Sequence, residues 1–192
     1  GGTVKLGKTS EKRIQFETSL TVRSPGLEFN DVGYMRYSDV IHHGTWVAYY
    51  VRDPFSIFNN FYLNTNYWMY WNFSGTHLSS FVNTNFNSQF KNRWRMNGNL
   101  TRGTENISTN LLRGGPSMKL PGETEFSINF MTDRSKKIFA FLGNYQGVGD
   151  DDSYRWQQYW TGINARPINA LAISFEPEFS KVNKALQYVN NN

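Results

Sequence analysis

Between Ile57 and Ser74 the chain reads IFNNFYLNTNYWMYWNFS and alternates with a period of two throughout. Seven of the nine odd positions are apolar or aromatic: Ile57, Phe61, Leu63, Tyr67, Met69, Trp71 and Phe73. Of the even positions, Asn60, Asn64, Asn66, Asn72 and Ser74 are polar, while Phe58, Tyr62, Trp68 and Tyr70 are aromatic. Successive side chains of a strand point to opposite faces, so this stretch is one strand with a greasy side and a wet side. At roughly 3.3 Å per residue it would reach more than about 50 Å, against a usual soluble strand of about 5–6 residues. About 9–11 residues of tilted strand cross a bilayer. The run therefore reads as a transmembrane β-strand that continues past the membrane.

The rest of the composition agrees with that reading. Hydrophobic residues make up 39% of the 192 positions and charged residues 18%, while aromatics reach 17%. A polar, water-lining face and an outer face banded with Trp and Tyr produce such a balance. There is no cysteine, hence no disulfide framework and no thiolate metal site. No apolar run is long enough for a membrane-spanning helix, which a barrel does not need. The opening GGTVKLGKTS is not a signal peptide, so the expectation is a trimmed precursor or an internal piece of a longer chain. The net charge of +5 is scattered, not clustered, which argues against a nucleic-acid partner.

Taken in order, Gly1–Ser10 shows no pattern, and alternation begins at Lys12 with Ile14, Phe16, Leu20 and Val22 on one side. Ser24-Pro25-Gly26 ends that strand. Leu27–Gly44 breaks the alternation, apart from a short strand expected around Val32–Tyr37, and Thr45–Asp53 is apolar on both sides. After the long strand, Thr76–Phe90, Lys91–Arg102, Thr124–Asp133 and Lys136–Tyr145 each alternate. Gly103–Pro121 reads as a loop or weak strand, and Gly147–Asp152 as an acidic glycine turn. Two last strands, Tyr154–Ala165 and Ile168–Lys181, are divided at Arg166-Pro167. The pattern predicts an all-β antiparallel meander of about nine or ten strands. It forms one segment over residues 1–192, with no linker or helical period.

Several spaced segments carry a resemblance. Ser24–Asp39 (SPGLEFNDVGYMRYSD), Gln89–Trp94 (QFKNRW), Leu111–Gly122 (LLRGGPSMKLPG) and Thr132–Lys137 (TDRSKK) occur in this order, followed by Ala165–Pro167 and Gln187–Val189. Together they resemble the C-terminal barrel of a bacteroidete-type outer-membrane protein family of uncharacterised function. In that family the barrel follows a domain similar to family 9 carbohydrate-binding modules, which is absent from this chain. The resemblance implies the outer membrane of a gram-negative bacterium and a longer parent, and it brings no catalytic residues. Outer-membrane barrels tend to close on an aromatic residue, whereas this chain ends Asn190-Asn191-Asn192, so a fragment or partial barrel is expected. Open strand edges in lipid leave backbone groups unpaired, which calls for further strands or an assembly partner.

Candidate sites are sparse. His42 and His43, with Asp31 and Asp39, form the densest group of metal-ligand types, but adjacent residues of a strand point opposite ways. His77 and Ser79 share a face without an identifiable third member of a triad. Asp150–Asp152 lacks the alternate spacing of calcium loops, and Arg113-Gly114-Gly115-Pro116 has no following helix to cradle phosphate. Arg93 and Arg95, with Lys91, would bias a pore towards anions unless they pair with acids such as Glu125. Trp68, Tyr70, Trp71, Trp94, Trp156 and Trp160 are expected to form an interfacial girdle rather than a sugar platform.

The expectation is thus a non-enzymatic, structural or transport-related outer-membrane β-barrel with no catalytic site, cofactor or metal. Its expected partners are outer-membrane lipid and barrel-assembly or other outer-membrane proteins. The residues expected to face lipid are Phe61, Leu63, Tyr67, Met69, Leu78, Val82, Phe126, Ile128, Leu171 and Ile173. The competing expectation is a soluble carbohydrate-binding β-sandwich, which would seal the same residues between two sheets.

Overall fold

A computed structural model describes residues 1–10, 13–27, 38–109, 111–112 and 115–185. The strand expected near Val32–Tyr37, together with Asp31, Arg113 and Gly114, lies outside the described residues. Strands β1 (Gly2–Lys8), β2 (Ile14–Arg23), β3 (Val40–Val51), β4 (Phe58–Trp71) and β5 (His77–Phe90) come first. Next are β6 (Arg95–Gly103), the short β7 (Asn106–Ser108) and β8 (Met118–Leu120), then β9 (Glu123–Met131). The chain continues through β10 (Ile138–Gly149), β11 (Tyr154–Ile168), β12 (Leu171–Phe175) and β13 (Glu178–Lys184). No helix is long and apolar enough to cross a membrane.

All the long strands belong to one antiparallel sheet in the order β1-β2-β3-β4-β5-β6-β9-β10-β11-β12, with β13 also on β11. β12 and β13 follow each other along the same partner, interrupted at Glu176-Pro177 because proline has no N–H for the ladder. The sheet is therefore a meander ten strands wide, and β7 and β8 form a separate hairpin inside the β6–β9 connection. β1 pairs with β2 alone and β12 and β13 with β11 alone, so among the described residues the sheet is open at both edges.

Two local expectations change. Gly1–Ser10 was expected to be patternless, yet Gly2–Lys8 forms β1 in register with Val22–Phe16. Pairing with an amphipathic neighbour supplies order that Thr3, Lys5 and Gly7 do not announce. The expected break at Arg166-Pro167 is absent, and β11 runs on to Ile168. Pro167 lies beyond the last β10 partner, Ala165↔Ile138, and beside a bulge, where a missing donor interrupts no ladder.

The register sorts the side chains into two faces. One carries Ile14, Phe16 and Leu20 of β2, Val47 and Tyr49 of β3, Leu63 and Tyr67 of β4 and Phe126 of β9. The other carries Asn64 and Asn66 of β4, Asn83, Asn85 and Asn87 of β5, and Asn97 and Asn99 of β6. Among the described residues only Val40 and Ala48 are buried hydrophobics. Ile163 is 54% exposed, Leu142 55%, Phe175 70% and Leu63 37%, so no second layer among the described residues covers the apolar face. Phe61 and Met69 are half-buried between their neighbours in the sheet.

The apolar band runs obliquely. On β2 it extends up to Val22, whereas on β11 Arg155 and Gln157 are polar and the band starts at Tyr159. The lateral row through Tyr159 passes Asn144, Ile128, Gly98, Phe86, Leu63 and Tyr49 to reach Ile14. Val22 and Ile14 are eight residues apart, about 26 Å of strand rise, over seven strand spacings of about 34 Å in all. Between these two strands the upper limit descends at a mean of about 38° to the lateral rows, staying in the Val22 row at Ile41 and Trp71 and reaching Val148 on β10. At the lower end of the sheet the strands are joined by short turns at 52–57, 91–94, 132–137 and 169–170. The strand ends joined by the long connections, from β2 to β3 and from β6 to β9, are both at the upper end.

Candidate functional site

The functional surface is built on the polar face, where backbone pairing leaves short amides opposite each other. Asn83 Nδ2 donates to Thr101 Oγ1 (2.9 Å), Thr101 Oγ1 to Asn99 Oδ1 (3.1 Å), Asn99 Nδ2 to Asn85 Oδ1 (2.6 Å), and Asn85 Nδ2 back to Asn83 Oδ1 (2.5 Å). Four side chains on β5 and β6 so close a ring, which Asn66 joins by donating to Asn83 (3.1 Å). Each amide both gives and receives, which orders the middle of this face without an apolar core.

Aromatic side chains flank the ring. Trp68, Tyr70, Trp156 and Trp160 have the parity of the polar face, while Trp71 has that of the apolar face and Trp94 lies in the β5–β6 turn. The register divides these rings between two surfaces, with Trp68 and Trp71 on opposite faces as alternation requires. Two of the polar-face rings sit over glycines in a reciprocal exchange. On β10 the order is Phe141, Gly143; on β11 it is Trp160, Gly162; Phe141 is opposite Gly162 and Gly143 opposite Trp160. A Cβ at Gly143 would meet the Trp160 indole, and one at Gly162 would meet the Phe141 ring. Each ring consequently lies down on its neighbour's bare backbone, a use of strand glycine that permits close approach.

Below this pair opens a cavity of about 420 Å³, whose lining includes Arg95, Asn97, Asn129, Arg134, Phe141 and Trp160. Asn97, Asn129, Gly143 and Trp160 form one lateral row; Arg95, Met131, Phe141 and Gly162 form the next. Arg134 stands over the Phe139 ring, 5.4 Å from its centre. Arg95 is aligned with Met131, while Glu125 is aligned with Thr101, six residues up the strand and about 20 Å away. The Arg95–Glu125 pairing that the composition left open is thus ruled out by register. The turns below the cavity carry Lys91, Arg93, Arg134, Lys136 and Lys137 with one carboxylate, Asp133, and Glu176 joins the lining, so the rim is predominantly basic.

The remaining sequence candidates are separated. His42 stacks on Tyr70 at 4.5 Å on the polar face, whereas His43 Nε2 is 3.0 Å from Thr18 Oγ1 on the apolar face. Asp39 accepts the Phe73 N–H at 2.9 Å. His77 pairs through Nε2 with Ser80 Oγ at 2.7 Å, not with Ser79, because a bulge between Tyr70 and Trp71 shifts it. The residues expected to face lipid keep one parity at Phe61, Leu63, Tyr67, Met69, Val82, Phe126, Ile128 and Ile173, while Leu78 and Leu171 adjoin bulges.

Asp150 is engaged by Arg102, with Nη1–Oδ1 at 2.8 Å and Nη2–Oδ2 at 2.6 Å, and its N–H donates to Gly122 O at 2.7 Å. The Arg102 guanidinium, through its two hydrogen bonds and its charge, holds the Asp150 carboxyl below the ordinary 3.8. The ionised form is favoured in the folded state. The contact therefore stabilises the upper end fully above the ordinary value and is lost as pH falls through the lower, folded one. A carboxyl carbon titration by NMR is expected to place Asp150 below its ordinary value in the native chain. In Arg102→Ala the value should return to that range; an unmoved titration in the variant would remove Arg102 as the cause.

The Gly–aromatic exchange and the amide ring escaped sequence reading, since both depend on which residues stand opposite each other. The only local signal was glycine inside alternating strands at Gly143 and Gly162. Compared with known proteins, the chain matches one family model over residues 2–192, described as Domain of unknown function (DUF5916), and it belongs to that family. No curated protein and no solved structure matches it.

Proposed function

We propose that this DUF5916 chain is an integral outer-membrane β-barrel segment of a gram-negative bacterium, non-enzymatic and structural or transport-related. One observation carries the reading: among the described residues a single sheet leaves its apolar face uncovered, and the upper limit of that face descends from β2 to β11 at a mean of about 38° to the lateral rows. Barrel strands tilt by about 35–45° from the membrane normal, so a band parallel to the bilayer must cross the hydrogen-bond rows at such an angle. The eight long strands from β2 to β11 have 9 to 15 residues, enough for tilted crossing.

The amide-rich face then lines water, and acyl chains are the partner of the apolar one. Short periplasmic turns and longer outer loops orient the sheet with 24–39 and 104–122 outside the cell. The open edges, β1 on one side and β12 with β13 on the other, are paired by further strands of a longer barrel or held by an assembly protein. The resemblance of the spaced segments adds to this proposal a longer parent in which a family 9-like carbohydrate-binding domain precedes the segment. The competing soluble sandwich needs a second sheet over the apolar face, for which the described strands offer only the β7–β8 hairpin. Expressed with its parent chain, the protein is expected in the membrane fraction, resistant to carbonate wash and released by detergent. Recovery as a monodisperse species from detergent-free buffer would overturn the proposal.

A further inference from the structure

The cavity beneath the Phe141–Trp160 pair has the chemistry of a ligand site, and we infer that it binds an acidic oligosaccharide. Three independent features converge there. First, the reciprocal glycine exchange presses two aromatic rings onto the backbone, so that one face of each ring is turned towards the open side of the sheet. Flat rings presented in this way stack on the C–H face of a pyranose, burying apolar area while the sugar's hydroxyls stay at the edge. Second, Asn129 and Asn97 continue Trp160's lateral row beyond Gly143, over which the indole lies, so their amides offer hydrogen bonds along the path from the ring.

Third, the charge around the cavity is predominantly positive: its one lining carboxylate, Glu176, accepts from Asn164 Nδ2 at 3.0 Å on the side of the aromatic pair away from Arg95. Arg95 is exposed on the polar face, two strands from Phe141 in its row, a lateral separation of about 10 Å. One sugar on the aromatic pair and the next carrying a carboxylate would span that distance. Arg134 and the basic turns at 91–94 and 132–137 close the same end. A guanidinium takes a carboxylate through two parallel hydrogen bonds, which a neutral sugar cannot supply. The inference depends on the polar face alone, not on whether the opposite face meets lipid.

The test uses detergent-solubilised full-length protein and three probes: tetragalacturonate, neutral maltotetraose and inorganic phosphate. Tetragalacturonate is expected to change tryptophan fluorescence saturably, with the other two at least roughly tenfold weaker. Arg95→Gln and Asn97→Ala, both at exposed positions, should each weaken tetragalacturonate, Arg95→Gln by roughly tenfold. Trp160→Phe should remove most of the fluorescence change. Equal binding of maltotetraose would overturn the acidic specificity, and phosphate binding as tightly would reduce the site to an anion site without a sugar. Absence of saturation with tetragalacturonate, or unchanged affinity in Arg95→Gln, would overturn the inference, while membrane extraction of the protein would be untouched.

Discussion

Leu63→Arg is expected to destabilise the membrane-inserted protein by about 2–3 kcal/mol, whereas Asn87→Arg should cost well under about 1 kcal/mol. The two positions are almost neighbours. Leu63 on β4 is opposite Phe86, and Asn87 is opposite Tyr62, one residue along each strand and on the other face. Both side chains are exposed, so neither substitution has to find room in a packed core. What differs is the medium on each side. A guanidinium placed against hydrocarbon must snorkel or draw in water, while one on the amide-rich face is already hydrated. Urea titration in lipid vesicles, with intrinsic fluorescence as the signal, measures the difference directly. Equal costs at the two positions would mean that both faces see the same surroundings, which no barrel permits.

The second large effect concerns the aromatic pair. Gly143→Ala adds one methyl group, yet the Cβ falls on the Trp160 indole, which must lift away from the sheet. Overpacking of this kind costs about 1–3 kcal/mol. In a Trp160→Ala background the same substitution should be neutral or slightly stabilising, since the obstruction is gone and glycine's excess unfolded-state freedom is removed. The coupling from a double-mutant cycle should therefore be of the same size as the single cost. A Gly143→Ala variant with unchanged stability and unchanged tryptophan emission would show that the ring does not rest on this glycine. Because the same ring lines the cavity, the single variant should also weaken tetragalacturonate.

Strand type and face were legible residue by residue. Ile14, Phe16 and Leu20, or Phe126 and Ile128, alternate with polar neighbours, and a period of two allows one interpretation only. The register then keeps the expected lipid-facing residues of β4 and β9 at one parity. Where local chemistry competes with partners, the sequence is silent or misleading. β1 exists because β2 offers it an edge, and Pro167 ends nothing because no ladder bond is asked of it. His77 changes partner from Ser79 to Ser80 through a bulge that depends on where Trp71 falls.

Alternation along the chain was enough to determine an all-β meander and the side on which each long strand is greasy, because side-chain direction is a property of the single strand. The oblique limit of the apolar band, the closed amide ring and the two rings laid over glycines were decided only by tertiary structure. Each of them is a relation between strands, and the register that creates it is the sum of many backbone hydrogen bonds that no one segment contains.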